Sequence, residues 1–155
     1  MKYLLYKNCN KGACESRTTR WEIISITPTL FRYLRGEVTQ SDFFWRILSF
    51  NRYRLFVVKN EKGDVIHRSA CIGKCIKFPF LKKGDFEIGP CYTEDSFRGK
   101  GIYPAVLEHI LCERVGNYYM LVREDNESSI RGIEKAGFSL VGEVQRDRLG
   151  RWKKR

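Results

Sequence analysis

The densest chemistry in the sequence is the run Arg98-Gly99-Lys100-Gly101-Ile102. Two glycines one residue apart let the backbone turn tightly and aim its N–H groups outward. A helical pattern starts at Gly101, so the partial positive charge of a helix N-terminus falls on the same spot. Arg98 and Lys100 add full charges, and such a turn suits a pyrophosphate. It is not the dinucleotide fingerprint, because Pro104 stands where the third glycine belongs. It is not a P-loop either, because no Gly-Lys-Ser/Thr occurs. Downstream, Asn126, Ser128 and Ser129 open a second helical pattern; Asn126 reads equally well as a plain cap and as a ligand. Two titratable groups lie on the strands that approach the turn. Glu87 is either a working carboxylate or a solvated strand-face residue. His67 titrates near neutrality, or else it is a hydrogen-bonded structural imidazole. Glu94 and Asp95, nearer the turn, read as exposed.

The elements that must position these residues follow from periodicity. Segments 2–7 and 21–26 are β-like, and 8–20 reads as a loop or irregular arm. The spacing of Phe43, Phe44, Ile47, Leu48 and Phe50 predicts a helix over 39–50 with that apolar face inward, capped by Thr39 or Ser41. Strands over 54–59 and 65–71 form an antiparallel hairpin through the turn residues around Gly63. A third strand covers 85–93. Then the order changes: helix 101–113, strand 118–122, helix 126–136 ended by Gly137, strand 138–144, and a last short strand near the end. Pro104 is tolerated because it sits in the first helical turn. Hairpins followed by alternating strands and helices predict an α+β fold with a mixed sheet.

Composition sets the frame. The 155 residues are one domain's worth, with 43% hydrophobic residues and 14% aromatic residues, too apolar for a disordered chain. The apolar runs are too short for a membrane span or a signal peptide, which points to the cytoplasm. The formal charge of +11 favours an anionic partner. No two of the six cysteines have Cys-x-x-Cys spacing, and neither His67 nor His109 has a second ligand nearby. No metal is expected, and the thiols read as reduced.

Arg98-Gly-Lys-Gly101, followed by Asn126-x-x-Ser129 and Glu134-Lys135-x-Gly137-Phe138, resembles the GNAT superfamily of acyl-CoA-dependent N-acyltransferases. The resemblance covers roughly residues 85–144. It implies one domain over 1–155, with an acceptor-side half (1–84), an acyl-CoA-binding core (85–144) and a basic end (145–155). It implies a three-layer fold with helices on both faces of a mostly antiparallel sheet, splayed between two parallel strands. Acetyl-CoA, the acyl-donor substrate, would pair with the edge of the first splayed strand at Cys91, Tyr92 and Thr93. Its pyrophosphate would rest on Arg98, Gly99, Lys100, Gly101 and Ile102, beside Tyr103, with Asn126, Ser128 and Ser129 on the pantetheine side. Glu87 would be the general base for an amine acceptor and His67 the second candidate. Cys91 would pack beside the pantetheine rather than carry the acyl group. Two positions depart from the family pattern. Tyr103 replaces a small residue, and Ile133 stands where many members place a tyrosine as general acid.

Charge and the segment Ile76-Lys77-Phe78-Pro79-Phe80-Leu81-Lys82-Lys83 favour a small anionic acceptor, such as a nucleotide-linked amino sugar. A homodimer is left open, and nucleic acid is disfavoured as a partner. The competing readings are a nucleic-acid- or membrane-binding module gripping through the basic end 146–155, and a GNAT-like protein that binds acyl-CoA without turnover.

Overall fold

In the computed structural model of the protein, residues 2–10 and 20–155 are described. Part of the segment read as a loop, 11–19, lies outside them, whereas Asn8, Cys9 and Asn10 belong to a strand. Eight strands form one sheet: β1 (Tyr3–Asn10), β2 (Ile23–Ile26), β3 (Tyr53–Lys59), β4 (Val65–Gly73), β5 (Phe86–Thr93), β6 (Gly116–Arg123), β7 (Ser139–Arg146) and β8 (Trp152–Lys154). Four helices accompany them: α1 (Leu30–Leu34), α2 (Gln40–Leu48), α3 (Ile102–Glu113) and α4 (Glu127–Lys135). The sheet order is β2-β3-β4-β5-β6-β1-β7-β8, and the β5–β6 pair is parallel while the others are antiparallel.

The first strand corrects the expectation of a simple hairpin series. It lies between β6 and β7, antiparallel to both. Its unbroken Leu4-Leu5-Tyr6 fits an interior strand, which buries side chains on both faces. Leu5 enters one core cluster and Tyr6 the other. The Tyr6 hydroxyl also donates to Glu134 Oε1 at 2.9 Å, tying the end of α4 to the sheet.

One face of the sheet carries α3 and α4. Ile102, Val106, Leu107, Ile110 and Leu111 of α3 are buried there with Ile133 of α4. Each such side chain contributes about 1.5–3 kcal/mol on burial. The other face buries Tyr53, Leu55, Ala70, Ile72, Phe78, Leu81 and Tyr119. Phe78 and Leu81 anchor the turn-rich connection from β4 to β5 on this face. The basic C-terminal end is fixed as well: Trp152 is buried, stands edge-on to Tyr3, and donates its backbone N–H to the Lys77 carbonyl.

Helix α2 forms where expected, with a capping box between Thr39 and Asp42. Its orientation is a second correction. Phe44, Ile47 and Phe50 face solvent, and Asp42 is the buried residue. The Asp42 carboxylate accepts from the Tyr53 hydroxyl at 2.6 Å and from Arg68 Nη2 at 3.1 and 2.8 Å. A buried charge must be paired, so this anchor sets the helix rotation against the pull of its apolar stripe. The thiol reading is corrected too. Cys9, Cys71, Cys75 and Cys91 are free, but Cys112 is disulfide-bonded. No helix among the described residues is long and apolar enough to cross a membrane.

Candidate active site

Strands β5 and β6 are paired only at Phe86–Tyr118 and Glu87–Tyr119. Beyond Glu87 they part, so β5 from Gly89 to Thr93 has no strand partner on the β6 side. The β4–β5 register shifts between Ser69 and Cys71, which places Gly89 and Pro90 in a bulge. Bulges re-aim side chains, and this one sits where the two strands separate.

On the α3–α4 side of the gap lies a cleft of about 590 Å³. Cys91, Tyr92 and Thr93 form one wall, the turn Arg98, Gly99 and Gly101 with Ile102 and Tyr103 a second, and Asn126, Ser128 and Ser129 a third. Gly99 and Gly101 have φ of +74° and +77°, values that glycine adopts without strain. Gly101 caps α3, whose first N–H groups have no carbonyl four residues back. The third helical residue, Pro104, has no N–H to lose. These features fit a pyrophosphate, with Arg98 beside it; Arg98 is also held by Asp95 at 2.8 Å. Lys100 is not among the cleft-lining residues, and its ammonium sits 4.5 Å from the Phe97 ring centroid. The Asn126 side chain accepts from the Ser129 N–H as a helix cap while its residue lines the cleft, so cap and ligand are compatible.

Five cleft residues escaped sequence reasoning as site residues: Phe97, Pro104, Arg131, Gly132 and Lys135. The signal was available for three of them. From Ser128 they follow at spacings of three, four and seven, one face of α4. Gly132 has a visible purpose: a Cβ there would lie 2.7 Å from the Tyr103 ring. The large residue at 103 is accommodated by the absence of a side chain at 132. Ile133, buried in the core, offers no proton donor to the cleft.

His67 packs against Tyr103 of the cleft wall, with ring centroids 6.1 Å apart. His67 is fully buried, with Nδ1 2.7 Å from the Thr93 hydroxyl and Nε2 2.8 Å from the Ser69 hydroxyl. Burial lowers its pKa to about 4, so the ring is neutral. Burial also pushes the Cys91 thiol up to about 12, which keeps it protonated and a poor nucleophile.

Across the gap, on the opposite side of the sheet, is a cavity of about 240 Å³ lined by Thr39, Asp42, Trp45, Tyr53, Arg68, Lys77, Gly89 and Pro90, among others. Burial opposes the charge on Asp42. Hydrogen bonds from Thr39 and Tyr53, with the Arg68 guanidinium, outweigh it and hold the carboxyl below the usual range. Lys77 stacks over Trp45 with its ammonium 4.8 Å from the ring centroid, and it has no ion-pair partner among the described residues.

Glu87 is at the last paired step of β5, aligned with Ile72 and Tyr119, and its Oε1 approaches Gly89, which lines the second cavity. It is only 5% exposed, and Oε2 has no hydrogen-bond partner. Burial raises its pKa to about 8, opposed by the nearby Lys77 charge. Gly89 makes room for it: a Cβ at 89 would lie 2.8 Å from Oε1.

This is the fold of the GNAT acetyltransferases. The structure matches a GNAT-family acetyltransferase from Colwellia psychrerythraea at a TM-score of 0.59 and 13% identity, over 90% of this chain and 53% of the other. It matches a GCN5-related N-acetyltransferase from Sphaerobacter thermophilus at 0.61 and 15%, over 92% and 49%. A tandem GNAT protein of the clavulanic acid biosynthesis pathway matches at 0.54 and 12%, over 92% and 51%. The chain thus spans about half the length of these structures. No protein-family model and no curated protein sequence matches it.

Proposed function

We propose that this protein is an acyl-CoA-dependent N-acyltransferase that moves an acetyl group from acetyl-CoA directly to a primary amine of a small anionic acceptor. The observation that carries the reading is the buried Glu87 carboxyl, whose Oε2 has no hydrogen-bond partner among the described residues, at the last paired step before β5 and β6 part. An isolated buried carboxyl is costly to a fold, and a pKa near neutrality is what a general base requires.

In this reading acetyl-CoA lies in the cleft, its phosphates on the Arg98–Gly101 turn with Arg131 and Lys135 nearby, and its pantetheine along the free edge of β5. The Glu94 N–H is spent on the Ile66 carbonyl on the β4 side, so strand alternation turns the Tyr92 N–H to β4 as well and leaves those of Cys91 and Thr93 for the free edge; Pro90 has none. One of them polarises the thioester carbonyl. The amine enters from the opposite cavity and Glu87, in its ionised form, removes a proton from it. The neutral nitrogen attacks the carbonyl carbon, the tetrahedral adduct collapses with cleavage of the C–S bond, and the second proton lost from nitrogen passes through water to the departing CoA thiolate, giving the amide and CoA thiol while Glu87 returns its proton to solvent. His67, with both nitrogens occupied by hydroxyls, holds the β4–β5 register instead of meeting the amine.

The acceptor's character follows from the cavity. Arg68 spends one guanidinium nitrogen on Asp42, and Lys77 has no ion-pair partner among the described residues, so the walls carry an excess of positive charge. Trp45 supplies an aromatic surface for a ring. An amino sugar bearing a phosphate or nucleotide meets both conditions. The test is thiol release from acetyl-CoA with a panel of amino-sugar nucleotides, amino acids, polyamines and peptides. Anionic amino sugars are expected to give the highest kcat/KM. Preference for cationic polyamines would overturn the acceptor assignment, and no turnover with tight acetyl-CoA binding would favour a binding protein without catalysis.

A further inference from the structure

Beyond the acyl-transfer site, the surface where α2, the β4–β5 connection and the β7–β8 hairpin meet has an unusual composition. An open cavity of about 730 Å³ there is lined by Phe50, Arg52, Lys74, Ile76, Lys83 and Arg151, with Cys75 and Pro79. No carboxylate lines it. Arg151 is paired to Asp147, but Arg52, Lys74 and Lys83 have no ion-pair partner among the described residues. Three unpaired cations around one hollow repel one another, and the fold gains nothing from gathering them.

Between these cations stand large apolar side chains turned to water. Phe50 is 84% exposed and Ile76 73% exposed. Phe44 and Ile47 of α2 are exposed as well, and the helix ends at Leu48, two residues before Phe50. Phe50 is held there by its backbone: φ is +53° at Phe50 and +63° at Asn51. A bulky side chain seldom adopts that conformation, and here it keeps a phenyl ring in solvent. Arg52 is also braced, its stem packed so closely on Gly73 that a Cβ there would lie 2.7 Å from it.

We propose that this face is a docking site for an anionic phospholipid membrane, with Arg52, Lys74 and Lys83 meeting headgroup phosphates and Phe44, Ile47, Phe50 and Ile76 entering the headgroup–acyl boundary. Apolar anchors interleaved with cations are what such an interface rewards, since each cation near an anionic bilayer and each buried CH₂ adds attraction. A second copy of this chain fits poorly, because a two-fold contact through the face would bring both sets of unpaired cations together. RNA fits poorly as well, since Ile47 and Ile76 can neither stack on bases nor hydrogen-bond to them.

Sedimentation of the full chain with vesicles tests the proposal. Binding is expected to vesicles of phosphatidylcholine with phosphatidylglycerol at about 0.1 M salt, and not to phosphatidylcholine alone. Phe50→Ser with Ile76→Ser should weaken it at least tenfold, because both side chains are exposed and their loss leaves the core intact. Lys74→Gln with Lys83→Gln should do the same, whereas Lys59→Gln with Lys62→Gln, which removes equal charge from the β3–β4 turn, should change it less than twofold. Four results would overturn the proposal: no binding to anionic vesicles, binding unaffected by the Phe50 and Ile76 changes, equal losses from the two lysine pairs, or a dimer that the Phe50 and Ile76 changes dissociate.

Discussion

Glu87 and Lys77 are where the account can be tested one side chain at a time. The folded chain holds the Glu87 proton up to about pH 8, whereas an ordinary glutamate loses it near 4.5. The native state therefore binds more protons than the unfolded state across that window, and Glu87 lowers stability progressively as pH rises through it. Glu87→Gln should remove this cost. In urea titrations its stability advantage over the parent should be small at pH 5 and larger at pH 8, and a difference independent of pH would show that the carboxyl ionises normally. In the proposed reading Lys77 meets the anionic group of the acceptor. Lys77→Met keeps the stem on Trp45 and deletes the charge, so the acceptor KM should rise about tenfold while acetyl-CoA affinity is unchanged, as initial rates and calorimetry would show. Glu87 was visible in the sequence as a carboxylate on the strand before the glycine turn. Its isolation was not, because the residues that close it off are distant in sequence. Asp42 and Arg68 were missed for the same reason, since each looks like a surface charge; Lys77 stood in the segment 76–83 that favoured an anionic acceptor, and only folding gathers the three around one cavity.

At the level of elements, the turn into α3 and the bulge in β5 do the positioning. Both depend on glycines, Gly101 for its φ and Gly89 both for its φ of +155° and for the space it leaves. A Cβ at Gly101 meets no atom within 4 Å, so Gly101→Val is not excluded by crowding. It is opposed by the left-handed backbone, at about 1–2 kcal/mol, and it would project a side chain toward the phosphate site. CoA affinity should fall at least tenfold, equivalent to about 1.4 kcal/mol, with the fold retained; calorimetry showing unchanged affinity in a folded variant would remove the turn from the site. Gly89→Ala acts differently, since its Cβ would displace the Glu87 carboxyl. Turnover should fall at least tenfold with acetyl-CoA binding intact, and parental turnover would mean that the carboxyl's present position is unimportant. Local chemistry made the α3 turn and the helix starts at Thr39 and Asn126 readable from sequence. The rotation of α2 was not readable, because one buried ion pair overrides the apolar stripe that periodicity sees.

For the whole molecule, strand pairing was the least readable feature. Hairpins such as β3–β4 announce themselves through a turn, but β1 finds its place between β6 and β7 through contacts more than a hundred residues away in sequence, and nothing local encodes that. The +11 charge pointed to an anionic partner without locating it. In the structure, unpaired cations gather in separate places, the second cavity and the surface beside Phe50, and each now has its own test. The central claim, that Glu87 takes the proton from the acceptor amine, is most directly measured by the pH–rate profile of the parent and Glu87→Gln with an active acceptor. In the parent, kcat/KM should rise with pH and level off above about 8, as the carboxyl ionises. In Glu87→Gln, acetyl-CoA affinity should be unchanged, turnover at neutral pH should be roughly 10²–10⁴-fold lower, and the residual rate should keep climbing as the amine deprotonates in solution. A Glu87→Gln enzyme with parental turnover and an unaltered profile would contradict the account.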